Sequence, residues 1–324
     1  MRQLYQDCVT SIVEYASTVW HNPLKDKIHL KSLRIVQRTA LIRILSAFKT
    51  VSSVALEAES YILPTYLRLK QRAQILAARL STLPNDHPAR AAVERAKIRS
   101  KHIGLGHRFS LAETLKTMDL GRFRALQSEG LEDAELRWIP AHIGVKGNEK
   151  ADKAAKEAAI RGVELSSVRP RDRPIIRLAA AAKRDVRQRL RTEWTKQWER
   201  QKVGRPTRRL LPKPDKKNVQ LYEHLSKAHT SIIIQMRTIR IGLRHFLYKI
   251  KQVDSDRCAC DLGSQTPRHV LLECSLHTTG RRIMMDHLNQ IEGLRGRIQD
   301  YDAVIAHPQA IRYVAEFMQQ TGLL

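Results

Sequence analysis

Four side chains toward the C-terminal end, Cys258, Cys260, His269 and Cys274, form the pattern C-x-C-x8-H-x4-C within 17 residues. Three thiols and an imidazole are the donors that tetrahedral Zn2+ takes, and a site of that kind folds its own loop. Gly263 and Pro267 lie between the donors and can turn the chain. The C-x-C spacer is one residue shorter than the usual two-residue spacer. Without a metal the same set is three reduced cysteines and a surface histidine, and His277 is an alternative fourth ligand. A second set is Asp152, in the first turn of an Ala-rich stretch, with His142 ten residues before it on a loop. The positive end of the helix dipole favours a carboxylate there. An Asp holding Mg2+ and a His moving a proton would serve metal-assisted phosphodiester hydrolysis. The plainer reading is an Asp that offsets the dipole and a solvated His. A third set lies in residues 169–217, which carry 18 Lys or Arg against five acids. Arg184, Arg187, Arg191, Arg208 and Arg209, with Trp194 and Trp198 four apart on one helical face, could hold a nucleic-acid strand by phosphate pairing and base stacking. The alternative is a solvated basic helix whose two Trp residues pack on a core.

The composition narrows the partners. The chain has 324 residues and a formal net charge of +26, and half of that surplus comes from 169–217. Nucleic acid, whether RNA, DNA or an RNA–DNA hybrid, is the expected partner, held mainly through phosphates. A membrane surface is the rival polyanion, but the basic segment lacks a clean large-apolar face. No run approaches 18 apolar residues, so no membrane span is expected. Asp7 and Glu14 interrupt the apolar N-terminus and make it a poor signal peptide. Four cysteines, three of them clustered, fit a reducing compartment. Together these features point to an intracellular, nuclear protein that is not secreted. Apolar content of 42% permits buried cores, and 5% aromatics points to aliphatic, helical packing rather than a β-sandwich.

The elements that must position these groups follow from periodicity. Residues 1–83 read as helices. Leu30, Leu33, Val36, Leu41, Ile44 and Leu45 recur at helical spacing, Ser52 and Ser53 are N-caps, and Pro64 opens a helix presenting Leu67, Leu69, Ile75, Leu76 and Leu80. Residues 84–133 have linker composition, with one short helix over 111–118. In 134–165 the run AELRWIPAH reads as a strand, IGVKGNE as a loop, and EKADKAAKEAAI as a helix capped by Asn148. Residues 166–230 form the basic helical segment. Residues 231–324 hold a helix over 231–251, the Cys/His cluster and a closing helix over 311–318. The fold class expected is mainly α with a small α/β remnant.

Three blocks resemble one family in the same order. The run WIPAHIGVKGNEKADKAAK is similar to the C-terminal motif of type-1 RNase H domains. The segment SLRIVQRTALIRILSAFKTVSSVALEAESYILPTYLRL resembles the region after the polymerase in non-LTR, LINE-like retrotransposon polyproteins, especially fungal ones. The segment IIIQMRTIRIGLRHFLYKIKQVDSDRCACDLGSQTPRHVLLEC resembles their zinc-binding tail, with Met236, Arg237, Thr238, Gln265 and Thr266 keeping the tail's pattern. The resemblance implies cleavage of the RNA strand of RNA–DNA hybrids with two Mg2+ ions. Asp152 would match the last catalytic carboxylate, His142 the catalytic-loop histidine and Glu149 a supporting acid. It also implies a retrotransposon reverse transcriptase as a partner.

The family's earlier RNase H strands and their carboxylates have no counterpart here. Glu94, Glu113 and Asp119 are the nearest acids, and none sits on an apolar strand. Two Mg2+ ions about 4 Å apart need several converging carboxylates. The expectation is therefore a retrotransposon-derived nucleic-acid-binding protein with a structural zinc and a vestigial RNase H block, inactive alone. An active endoribonuclease completed by carboxylates from elsewhere or from a partner chain, using Mg2+, is the first alternative. A decayed open reading frame is the second.

Overall fold

A computed structural model describes residues 1–21, 27–81, 87–92 and 179–324, together with Leu83, Arg95, Lys153 and Glu157. His142, Glu149 and Asp152, with the strand and helix expected around them and the short helix expected over 111–118, lie outside the described residues. Among the described residues the protein is mainly helical, as the sequence predicts, with one isolated antiparallel bridge between Arg257 and Ser264. The chain divides into two compact units, one formed by Met1–Ala73 with Asp185–Leu324, the other by Gln74–Arg108 with Ala112–Arg184. In the second unit Ala78 and Ala182 are buried in contact, and the Arg90 guanidinium donates to the Leu83 carbonyl at 2.8 Å.

After a run of short N-terminal helical turns, α1 (Lys27–Leu45) buries Gln37, Leu41 and Leu45, four residues apart, on one face. Val36, which shares the apolar repeat, is exposed instead. Then α2 (Ser53–Ser60) starts where the Ser52 hydroxyl accepts from the Ala55 N–H, the cap read from sequence. It ends where Tyr61 turns left-handed at φ 49°, and the Ile62 N–H closes on the Glu57 carbonyl at 3.0 Å. Every residue from Ala55 to Ser60 is buried, including Glu57 and Glu59. Pro64 precedes α3 (Thr65–Ser81), which buries Leu67 and Leu69 and leaves Ile75, Leu76 and Leu80 half-buried.

The basic segment begins with α4 (Ala179–Arg200). Its buried residues, Ala182, Val186, Leu190, Trp194 and Trp198, recur every fourth position. The Trp198 indole donates to the Leu211 carbonyl at 2.8 Å, just past α5 (Arg205–Leu210). Both Trp rings therefore pack on the core, which corrects the expectation that they stack on bases: Trp194 is 5% exposed and Trp198 2%. Next, α6 (Lys217–Gln220) leads into α7 (Lys227–Thr238), which Ser226 caps by accepting from the His229 N–H at 3.1 Å. The helix expected over 231–251 is two. Ile239 turns left-handed at φ 52°, the Arg240 N–H returns to the Gln235 carbonyl at 3.0 Å, and α8 (Arg244–Lys249) starts afresh. A cap of this shape favours glycine, so an Ile there gives no sequence signal.

The C-terminal core combines α7 with α9 (Thr278–Asn289), α10 (Tyr301–Ala306) and α11 (Ala310–Gln320). Their buried members include Ile233, Met236, Leu288, Val304, Val314 and Phe317. The closing helix expected over 311–318 is α11, one residue longer at the start and two at the end. Tying the halves together, the Arg237 guanidinium donates to Glu59 Oε1 at 3.0 Å, to Asn218 Oδ1 at 2.9 Å and to the Ile305 carbonyl at 3.1 Å. Asn218 and Tyr222 both donate to Glu59 Oε2, at 2.8 and 2.7 Å. Burial alone would lower the Arg237 pKa, but the Glu59 carboxylate together with Tyr222 and Tyr301 outweighs it and raises the value, so the guanidinium stays charged.

Candidate metal centre

The loop after α8 folds back through the Arg257–Ser264 bridge, with the Cys258 N–H donating to the Gly263 carbonyl at 2.8 Å. Between them the chain makes a tight turn in which the Asp261 N–H meets the Cys258 carbonyl at 3.0 Å and Asp261 takes φ 58°. The turn aims the Cys258 and Cys260 side chains to the same side, and the Leu262 N–H donates to the Cys260 sulfur. The second half starts at Thr266, whose hydroxyl accepts from the His269 N–H at 3.0 Å, with Pro267 in the first turn. The following turn, His269–Glu273, is wider than an α-helix, with the Cys274 N–H bonded to the His269 carbonyl at 2.8 Å. In an α-helix residues five apart point about 140° away from each other. The wider turn brings His269 and Cys274 to one side, and the Leu276 N–H then donates to the Cys274 sulfur.

The four donors of the C-x-C-x8-H-x4-C pattern converge. Their ligand atoms all lie within 4.8 Å of one another, and Cys258, His269 and Cys274 are buried. Cys258 Sγ and Cys274 Sγ are 3.6 Å apart, and Cys260 Sγ and His269 Nε2 are 3.1 Å apart. All four cysteines of the chain are free thiols. Zinc–sulfur bonds of 2.3 Å set tetrahedral sulfurs about 3.8 Å apart, so the cluster has the size of a metal site. A disulfide would need about 2.0 Å. The group can hold a metal ion with its own side chains. Behind it, Glu273 Oε2 lies 3.6 Å from His269 Nδ1, a carboxylate on the far side of the imidazole that orients Nε2 toward the donors. His277 stands outside the cluster, edge-on to Phe317, so the alternative fourth ligand is not the one brought in.

The protonation preferences of the sulfurs diverge. The Leu262 N–H pulls the Cys260 thiol down to about 6, against desolvation and with help from His269. Burial pushes the Cys274 thiol up to about 11, against the Leu276 N–H. A bound cation would replace the protons of such a set, because metal ligands must be deprotonated.

Residues outside the four hold the loop in place. Gln265 is buried, accepts from the Arg244 N–H at 2.9 Å, and donates its own N–H to the Asp256 carbonyl at 2.8 Å. Arg281, on α9, donates to the carbonyls of Leu271 at 3.0 Å, Val270 at 3.2 Å and Cys274. It clamps the wide turn from outside. Sequence reasoning passed over Arg281, since an arginine in a helix carries no mark of the carbonyls it will meet. Among the expected nucleic-acid residues, Arg184, Arg187, Arg191 and Arg209 are exposed and Arg208 is half-buried. Arg209 pairs with Asp302 at 3.4 Å. No described helix is long and apolar enough to cross a membrane. No family model, curated protein or solved structure matches the chain.

Proposed function

We propose that this chain is a nucleic-acid-binding protein descended from a non-LTR retrotransposon polyprotein, with a structural zinc centre and a vestigial RNase H block. The observation that carries the reading is the +26 charge, half of it in one segment whose arginines at 184, 187, 191 and 209 face outward. A positive surplus of that size attracts polyanions. The chain's lysines and arginines would displace condensed counterions from the phosphates of RNA, DNA or a hybrid duplex. Zinc suits the centre because three thiols and an imidazole at tetrahedral spacing are borderline-soft donors, whereas Mg2+ prefers oxygen. Hydrolysis of a hybrid is not expected from the chain alone, because Asp152 is one carboxylate where two Mg2+ ions require several. Mg2+ therefore belongs to this reading only as a guest of a completed active site, for example beside a reverse transcriptase. Reduced thiols and a nucleic-acid partner would suit a nuclear protein.

Binding of labelled RNA, DNA and hybrid should weaken linearly on a log–log plot as salt rises from about 50 to 200 mM. An affinity that stays flat over that range overturns the phosphate-driven mode. Hybrid cleavage with Mg2+ that disappears in Asp152→Asn overturns the inactive reading.

A further inference from the structure

Two surface clefts of about 370 and 510 Å3 share three residues, Tyr61, Arg191 and Trp194. They are therefore one groove crossing the end of α2 and the outer side of α4. Arg2 and Arg68 line one end, and Lys196 and Lys213 line the other. Three acids also line it, Asp7, Glu199 and Asp215, leaving the groove net positive. Asp215 is already engaged, accepting from the Lys217 N–H at 2.9 Å, and Arg68 from the basic side is engaged with Glu14. Arg191 and Lys213 are exposed and make no ion pair with a described residue, so their charge is open to a ligand.

At the crossing of the two clefts sits an aromatic ring held in place. Tyr61 is half-buried, and its ring lies 5.6 Å from that of Trp194 at an interplanar angle of 34°. Its backbone is fixed by the left-handed helix cap, and its carbonyl accepts from Arg2 at 3.1 Å. A positively lined track with a fixed aromatic in it offers phosphates and one base face to a strand at the same time. A base is free to lie on a side-chain ring only when it is not paired and stacked within a duplex. On the nucleic-acid reading given above, we infer that this groove binds single-stranded nucleic acid, with a base on Tyr61 and phosphates on Arg191 and Lys213. Tyr61 thereby takes the stacking part that the buried Trp rings cannot play, and Trp194 supports it from beneath.

The test uses the full chain and a labelled 20-nucleotide oligo-U, against an RNA duplex of the same length, by fluorescence anisotropy at several salt concentrations. The single strand should bind more tightly than the duplex. Tyr61→Leu should weaken it about fivefold or more with the salt slope unchanged, as the loss of a stacked base requires. Arg191→Ala/Lys213→Ala should lower the salt slope by about 1.4, two single-strand phosphate contacts at about 0.7 each. The remote surface change Arg295→Gln should leave both readings unaltered. Ultraviolet cross-linking of the unaltered protein to oligo-U should map to Tyr61, which keeps the inference testable should Tyr61→Leu fail to fold. Wild-type affinity in both variants, or a cross-link elsewhere, overturns the groove while nucleic-acid binding stands. Absence of binding to any nucleic acid overturns both.

Discussion

Glu59 and Cys274 are both almost fully buried, 1% and 0% exposed, yet their surroundings differ in kind. Around Glu59 the donors and acceptors answer one another: Arg237, Asn218 and Tyr222 point at the carboxylate, and the guanidinium spends its remaining nitrogens on Asn218 and the Ile305 carbonyl. The set is closed and needs nothing further. Around Cys274 three sulfurs and an imidazole nitrogen converge on one point, and the nearby Arg281 guanidinium donates to backbone carbonyls rather than to the sulfurs. That set has electron pairs to give and no charge to receive them. Polar groups that satisfy one another act as structure, whereas lone pairs aimed at a common centre mark a place for a cation.

The comparison can be broken at several strengths. Stripping metal with a chelator should have the largest effect, because structural zinc contributes roughly 10–16 kcal/mol in small zinc modules. The loop over 258–277 should lose hydrogen-exchange protection while α1 and α2 keep theirs. Full protection in metal-free protein would mean that the donors hold the loop unaided. Next, Arg237→Met should cost about 3–5 kcal/mol in urea unfolding, since it strands a buried carboxylate. A loss below about 1 kcal/mol would show that the Glu59 set is not closed in the sense described.

Glu57 is intermediate between the two sets, buried and, among the described residues, with Gln37 as its one side-chain hydrogen-bond donor, at 2.8 Å. Burial lifts its pKa to about 7, and the Gln37 amide and the Arg34 charge offset only part of this. The folded protein then holds a proton that the unfolded chain releases above about 4.5, so stability falls as pH rises from about 4.5 to 7 and levels off beyond. Glu57→Gln should remove up to about 3 kcal/mol of that fall and stabilise the protein at pH 7.5. Thermal melts of both proteins at pH 5 and 7.5 check the sign, and equal pH slopes would refute it.

Much of this was legible in residue types and spacing. The metal donors could be read because cysteines are rare here and three of the four fall within 17 residues. The Ser52 cap and the closing helix followed from local rules. What escaped reading depends on distant partners or unusual backbone. Tyr61 and Ile239 occupy left-handed caps that a sequence reader assigns to glycine, so the break before α8 was hidden. The two Trp residues gave a spacing that fits either a binding face or a core stripe. Val186 and Leu190 extend that stripe, and the folded structure shows it buried. Arg237 kept a family-like pattern without revealing that its partner is 178 positions earlier.

That separation has a consequence for synthesis on the ribosome. At about 5–20 residues per second, Glu59 waits roughly 10–35 s after it is made before Arg237 exists to neutralise it. Through that interval α2 has neither its ionic partner nor the Ile234 side chain that completes its packing. The Cys/His loop, closing over 17 residues, can form as soon as it clears the exit tunnel. The nascent N-terminal helices are therefore the part of this protein most in need of a chaperone.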